Sequence, residues 1–159
     1  MDFSMVPLNL SELIDNSIEA NKGFGEEHNV AFSLIADEHY SKVMGDGDRL
    51  MQVMGNLLSN AAKFSPSGDD VIISISQNDK DVRVSVVDKG EGIPTKSRDQ
   101  IFEKFFQADS SSTREKGGTG LGLSISKSII EFHGGTIAFK ICPRLGTMFY
   151  FDLPMLRNH

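Results

Sequence analysis

The residues of this chain best suited to chemistry are two asparagines and a lysine on one predicted helix. Asn56, Asn60 and Lys63 occur in the run Asn-Leu-Leu-Ser-Asn-Ala-Ala-Lys, and a helix of about 3.6 residues per turn brings them to one side. Amide oxygens are ligands for a hard cation, and an ammonium group pairs with phosphate oxygens. The spacing therefore indicates a site for a metal–phosphate group, although a solvated helix face would show the same pattern.

A second group of useful residues follows directly after a predicted strand. Asp88 comes after the apolar run that ends at Val87, and Gly90 and Gly92 follow it at alternate positions. A carboxylate at a strand end can accept a hydrogen bond from an exocyclic amine such as that of adenine, and glycines let the backbone approach a flat ring. An ordinary turn explains this Asp-x-Gly-x-Gly pattern equally well.

A glycine-rich run opens the last predicted helix. Gly118, Gly120 and Gly122 precede the apolar periodicity that starts at Leu123, so free backbone N–H groups and the positive end of a helix dipole would face an anion. The run lacks the Lys-Ser/Thr ending of a Walker A loop and the third glycine of a Rossmann fingerprint. Just before it, Arg114 and Lys116 could reach a terminal phosphate or be ordinary surface charges.

The elements that must position these residues suggest one α+β domain. Ser11 is a candidate cap for a first helix, which Gly23-Phe24-Gly25 interrupts or ends. A strand from Val30 to Leu34 follows, and a second extended stretch through Tyr40 and Val43 could pair with it. A turn at 45–48 caps the asparagine helix. Strands 71–75 and 82–87 form a hairpin, a helix ends at Gly134-Gly135, and strands 136–141 and 147–153 complete the domain. The phenylalanine cluster Phe102, Phe105 and Phe106 is either a loop anchor or a stacking site.

Composition excludes several classes of protein. The 159 residues suit one domain with its own core. A net charge of −6 at pH 7 and the lack of a basic cluster argue against a nucleic-acid partner. The single cysteine, Cys142, fits a reducing compartment, and no apolar run approaches the roughly 18 residues that span a membrane. We expect a cytoplasmic domain, although its parent protein could be membrane-anchored.

Four motifs in a fixed order carry a family resemblance: the Asn56–Lys63 group, Asp88-x-Gly90-x-Gly92, the phenylalanine cluster and Gly118-Thr119-Gly120-Leu121-Gly122-Leu123. In this order they resemble the ATP-binding catalytic domain of sensor histidine kinases, in the superfamily that includes DNA gyrase, Hsp90 and the mismatch-repair ATPases. Residues 106–114 are similar to the lid of hybrid-type kinases. The resemblance implies a two-layer α+β sandwich, the Bergerat fold, with a mixed sheet and helices on one face. Residues 1–159 would then form one catalytic domain without the acceptor-histidine hairpin.

The resemblance also implies a role for each motif residue in binding ATP or ADP with Mg²⁺. Asn60 would ligate the metal, Asn56 would support the metal or the phosphates, and Lys63 would contact phosphate; these three are the expected catalytic residues. Asp88 would bind the adenine amine. The other expected nucleotide-contacting residues are Phe64, Gly90, Gly92, Ile93, Phe105, Arg114, Lys116, Gly118, Thr119, Gly120, Leu121, Gly122 and Leu123.

Asn56 stands where ATPases of the superfamily place a glutamate that activates water, and a neutral amide cannot act as a general base. This favours transfer of the γ-phosphoryl group to a histidine on a separate module, with a silent nucleotide-binding module or an ATPase as the alternatives. None of the chain's own histidines has the flanking pattern of an acceptor, and we expect His133 to lie as a cation at a helix end. The expected partners are the kinase's own dimerisation helices, which bear the histidine, and a downstream response regulator or receiver domain. The isolated domain is expected to be a monomer.

Overall fold

Seven strands and four helices make up the described part of a computed structural model, which covers residues 3–36, 42–89, 121–142 and 146–156. In chain order they are β1 (Val6–Asn9), α1 (Leu10–Ala20), α2 (Lys22–Glu27), β2 (Ala31–Ala36), β3 (Lys42–Gly45), α3 (Gly47–Phe64), β4 (Asp70–Gln77), β5 (Asp81–Asp88), α4 (Leu121–Phe132), β6 (Thr136–Cys142) and β7 (Gly146–Pro154). No helix among these residues is long and apolar enough to cross a bilayer.

The main sheet has five strands in the order β2-β4-β5-β7-β6, and β1 pairs with β3 in a separate two-stranded sheet. The β2–β4 pair is parallel, whereas β4–β5, β5–β7 and β6–β7 are antiparallel. The β4–β5 hairpin turns at Asn78, whose side-chain oxygen accepts hydrogen bonds from the backbone N–H groups of Lys80 and Asp81, both at 2.8 Å. The sheet is therefore mixed, as predicted.

The helices cover one face of this sheet. Along β5, Val82, Val84 and Val86 point into the core at every second position, which is the strand period. They meet the apolar side of α3, and truncating a buried leucine there to alanine would cost about 2–5 kcal/mol. The buried residues of that side are Leu50, Val53, Met54, Leu57, Leu58 and Ala61. The predicted two-layer α+β architecture is confirmed.

The opposite face of the sheet carries polar as well as apolar side chains. Arg83 donates two hydrogen bonds to Asp152, from Nε to Oδ1 at 2.8 Å and from Nη2 to Oδ2 at 3.0 Å. Its guanidinium carbon also lies 4.3 Å from the centre of the Tyr150 ring. A partly exposed ion pair of this kind contributes little stability by itself, so the helix-covered face is the source of most of the packing energy.

A closed set of hydrogen bonds holds the N-terminal end of α3. Asp46 caps the helix by accepting from the backbone N–H of Arg49 at 3.1 Å, and its other carboxylate oxygen accepts from the backbone N–H of Ser4 at 2.8 Å. The backbone N–H of Asp46 donates to Nε2 of buried His133 at 3.0 Å, and Nδ1 of that ring lies 2.7 Å from the carbonyl of Ile129. Because an N–H group can only donate, Nε2 is an acceptor and the ring adopts the neutral Nδ1–H tautomer. His133 does lie at the C-terminal end of α4, as predicted, but the prediction that it is a cation there was wrong.

Three local predictions near the N-terminus were also wrong. Asn9, not Ser11, caps α1, since its side-chain oxygen accepts from the backbone N–H of Glu12 at 3.2 Å. Gly25 lies within α2 instead of breaking a helix; it is buried, and a Cβ there would come within 2.8 Å of the Val30 carbonyl oxygen. Strand β3 pairs with β1 and not with β2, because β1 is a short strand that hydrophobic alternation did not reveal.

Candidate functional site

The polar side of α3 lies opposite its apolar side and carries Asn56, Asn60 and Lys63, all half-buried. The helix places them there because they are three or four positions apart. The Asn60 side chain makes no hydrogen bond to any residue that the structure describes, so its amide oxygen is available to a ligand. The structure thus brings these three predicted residues together along one helix.

Asn56 is tied to the neighbouring helix α4. Its side-chain nitrogen donates to the carbonyl oxygen of Gly122 at 3.0 Å and lies 3.1 Å from the hydroxyl oxygen of Ser126. A Cβ on Gly122 would come within 3.3 Å of the Asn56 amide carbon, so a side chain at that position would crowd the amide. Gly122, the last glycine of the glycine-rich run, therefore contacts α3 directly through Asn56.

Lys63 lies in the last turn of α3, one residue before the helix ends at Phe64. Its ammonium nitrogen is 5.8 Å from the centre of the Phe24 ring on α2, within the range of a weak cation–π contact. Partial burial lowers the pKa of Lys63 below its usual 10.5, because desolvation disfavours the charged form. A phosphate group at this position would offset that cost.

Asp88 lies at the junction of three elements. It is the last residue of β5, is only 5% exposed, and stands opposite Thr147 of β7 in the strand register. The C-terminal end of α3 reaches the same point, since the backbone N–H of Lys89 donates to the Ser65 hydroxyl at 3.4 Å. The fold therefore brings Asp88 to the same end of α3 as Asn60 and Lys63.

Gly146 is a glycine for a visible reason. It has φ of +116° and packs directly on the backbone carbonyl of Asp88, so any Cβ there would collide with that carbonyl. Thr147, the next residue, is 2% exposed. Both residues therefore pack next to Asp88, Gly146 against its carbonyl and Thr147 opposite it in the strand register.

The remaining predicted residues divide into two groups. Phe64 ends α3 with a side chain that is 40% exposed, whereas Leu123 is 8% exposed and belongs to the hydrophobic core. Gly122 lies in the first turn of α4, and Leu121 is its first residue. Outside the described residues are Gly90, Gly92, Ile93, Phe105, Arg114, Lys116, Gly118, Thr119 and Gly120.

Sequence reasoning missed three residues that support the site. Thr147 carried a weak signal, because it belongs to the Gly-Thr pair that opens the last strand. Ser126 carried a better one: it lies four positions after Gly122 and so shares its helix face. Phe24 gave no signal, because only the tertiary packing of α2 against α3 brings it to Lys63.

The donor atoms at this site suit Mg²⁺ held jointly with phosphate. Asn60, with the oxygen of Asn56 one turn away, offers neutral hard oxygen atoms, and Mg²⁺ usually takes one or two protein ligands while phosphates and waters complete its shell. Within the described ranges, no group of three or more His, Cys, Asp or Glu side chains could hold a metal alone. The residues present therefore fit a metal that arrives with a nucleotide.

Comparison with known proteins agrees with this geometry. Residues 45–157 match the family model described as histidine kinase-, DNA gyrase B-, and HSP90-like ATPase. The chain belongs to this family. Its sequence is 37% identical over 163 residues to hybrid signal transduction histidine kinase D of Dictyostelium discoideum, which covers 99% of this chain and 10% of that protein. It is 42% identical over 111 residues to sensor histidine kinase WalK of Bacillus subtilis, covering 69% and 18% of the two chains.

Solved structures place the chain among the catalytic domains of sensor histidine kinases. The catalytic domain of histidine kinase ThkA has a TM-score of 0.82 at 31% identity, with 96% of this chain and 98% of that one covered. Full-length ShkA in complex with AMPPNP has a TM-score of 0.83 at 28% identity, covering 99% and 32%. ThkA in complex with the response regulator TrrA has a TM-score of 0.79 at 31% identity, covering 96% and 42%. The family and fold implied by the sequence motifs are confirmed.

Members of this histidine kinase and ATPase family bind nucleotide, and the kinase relatives are much longer than this chain. The chain spans 10% of the Dictyostelium kinase and 18% of WalK. It therefore corresponds to one domain of those proteins.

Proposed function

We propose that this chain binds Mg-ATP and transfers the γ-phosphoryl group to a histidine on a separate module. The observation that carries the proposal is the convergence of Asn60, Lys63 and Asp88 at the C-terminal end of α3, where the Lys89–Ser65 hydrogen bond joins that end to β5. Residues 1–159 would form one catalytic domain, with the acceptor hairpin elsewhere in the parent protein.

Each residue contributes a distinct interaction. The buried carboxylate of Asp88 accepts a hydrogen bond from the exocyclic amine of adenine, which distinguishes adenine from guanine at that position. The Lys63 ammonium pairs with phosphate oxygens, and the Asn60 amide oxygen ligates Mg²⁺. When bound, the metal ion neutralises charge on the phosphates and orients them. The glycines and the cations Arg114 and Lys116 before α4 would close on the phosphates.

The state of Asn56 favours transfer over hydrolysis. Both of its amide protons point at acceptors on α4, and an amide oxygen is too weak a base to take a proton from water. A histidine acceptor brings its own nucleophilic nitrogen, so it does not need such a base.

The comparisons suggest the partners. ThkA has been seen with a response regulator, and the Dictyostelium relative is a hybrid kinase by name. We infer that the acceptor histidine belongs to the dimerisation helices of the same kinase and that a response regulator or receiver domain receives the phosphoryl group next. The net charge of −6 argues against a nucleic-acid partner. We also infer that the domain is cytoplasmic and monomeric.

The test mixes the chain with the histidine-bearing hairpin of its parent kinase or of a relative, together with γ-labelled ATP. Acid-labile label should appear on the hairpin, should disappear with Asn60→Ala, and should persist with Asn16→Ala, which removes an exposed asparagine on α1. Nucleotide binding without any transfer would indicate a silent binding module. Phosphate release by the chain alone, lost with Asn60→Ala, would indicate an ATPase.

A further inference from the structure

We propose that Ser126, together with the carbonyl of Gly122, holds the Asn56 amide in one orientation and so presents its oxygen to the metal–phosphate group. Ser126 is then a positioning residue that acts through Asn56. The consequence for ligand binding rests on the proposed function, whereas the hydrogen bonds that carry the proposal are present in the structure itself.

The orientation of the Asn56 amide follows from its neighbours. The carbonyl oxygen of Gly122, 3.0 Å away, can only accept a hydrogen bond, so the Asn56 atom facing it must be the nitrogen. The second amide proton has an acceptor in the Ser126 hydroxyl oxygen at 3.1 Å. A rotated amide would set two acceptor oxygens against each other, and this excludes the alternative orientation.

Ser126 is fully buried on α4, at 0% exposure. A buried hydroxyl is costly unless it takes part in hydrogen bonds, and here it faces the donor on α3. An apolar side chain would fill the same space at lower cost, so the presence of a hydroxyl indicates a role in the contact with Asn56.

With both N–H groups engaged, only the oxygen of Asn56 remains for a ligand. That oxygen has no hydrogen-bond partner among the residues that the structure describes. It lies one turn from Asn60 on the same side of α3. Gly122 and Ser126 on α4 therefore determine which atom of the Asn56 amide α3 presents to a ligand.

The hydrogen bond can be tested without nucleotide by a double-mutant cycle on the free energy of unfolding. The variants are Ser126→Ala, Asn56→Ala and the pair. Ser128→Ala is the matched control, because Ser128 is exposed on the same helix and its hydroxyl donates only locally, to Ser124 at 3.2 Å. We expect Ser126→Ala to destabilise the unmutated chain but to have much less effect when Asn56 is already alanine. Equal effects in both backgrounds would mean that Ser126 only packs, and would overturn the proposal.

The effect of Ser126 on ligand binding through Asn56 can be tested by measuring the affinity for AMPPNP with and without Mg²⁺. Ser126→Ala should weaken binding about three- to tenfold when Mg²⁺ is present, the effect expected for one lost hydrogen bond, and should change metal-free binding little. Ser128→Ala should leave both affinities unchanged. An equal loss with and without Mg²⁺, or no loss, would overturn the proposal. If the unmutated chain bound no nucleotide at all, the proposed function itself would fail, while the unfolding cycle would still report on the hydrogen bond.

Discussion

The two ends of α3 differ in how their polar groups are used. At the N-terminal end, Asp46 accepts from Ser4 and Arg49, and its own N–H is taken by His133, so this end is closed by the protein itself. At the other end, the Asn60 amide has no partner among the described residues and Lys63 is partly desolvated. The N-terminal end of α3 is thus a closed end, whereas the C-terminal end is an open end with polar groups available to a ligand.

The largest loss of activity should come from a substitution at the C-terminal end of α3, the open end. Asn60→Ala removes the proposed metal ligand, and we expect phosphoryl transfer to a separate histidine hairpin to fall by about 100-fold or more, since metal stabilisation of the transferring group is lost. Metal-free ADP binding should remain, because the adenosine contacts are intact. The melting temperature should hardly change, as it should for the surface control Asn16→Ala. Normal transfer by Asn60→Ala would exclude this residue as the metal ligand.

Asp88→Ala should weaken ATP binding about 10- to 100-fold, because a buried charged acceptor for the adenine amine is lost. The preference for ATP over GTP should decrease with it. Calorimetric titration of both nucleotides measures this. Asp81→Ala, at the opposite end of the same strand, is the control and should bind normally. Equal affinity of the unmutated chain for ATP and GTP would remove the adenine-reading role from Asp88.

Substitutions at the N-terminal end of α3 should change the stability of the fold but not nucleotide binding. Hydrogen bonds from the N–H groups of Ser4 and Arg49 hold the pKa of Asp46 below its usual 3.8. The stabilisation is therefore present above this usual pKa of 3.8 and is lost as the pH falls through the lowered folded-state pKa. Asp46→Ala should lower the melting temperature by a few degrees at neutral pH, as expected for a lost helix cap, and by less in strong acid.

Asp48 is exposed and also lies in the first turn of α3, so Asp48→Ala is the control for Asp46→Ala. Asp48→Ala should change the melting temperature much less than Asp46→Ala. Nucleotide affinity should be the same in both variants as in the unmutated chain. A large loss of nucleotide affinity in Asp46→Ala would show that the two ends of α3 are not independent.

The smallest expected effect is the pH dependence of ATP affinity that the Lys63 charge would cause. Because burial lowers its pKa below the usual 10.5, its charge is lost at lower pH than that of an exposed lysine, and affinity for ATP should fall a few-fold as the pH rises toward that range. Lys63→Arg keeps its charge and should show no such fall. Lys63→Met should bind ATP more weakly but melt slightly higher, since the desolvation cost disappears. A pH profile identical in the unmutated chain and Lys63→Arg would contradict a role for this charge.

Much of the fold could be predicted from the sequence because its strands and main helices follow clear periods. The apolar side of α3, the hairpin at Asn78 and the glycine end of α4 were all predicted correctly. What failed were elements defined by tertiary contacts. Strand β1 has too few residues to show a period, and the neutral tautomer of His133 depends on an N–H group far away in the sequence.

The site was predictable to the extent that its residues occur in motifs. Asn56, Asn60, Lys63 and Asp88 are placed by the fold as the motifs indicated, although their roles remain proposals. Ser126 and Phe24 could not be assigned, because their importance lies in which side chain they meet across a helix–helix contact. Periodicity predicts the face on which a residue lies, but not its partner.

The central claim is that nucleotide binds at one end of α3 and not at the other. Backbone-amide NMR during titration with AMPPNP and Mg²⁺ tests it directly, because each amide of the helix reports separately. We predict large shifts in residues 56–65 and at Asp88 and Lys89, with Asp46, Arg49 and His133 nearly unchanged. Shifts of equal size at both ends, or none at Asp88, would contradict the account.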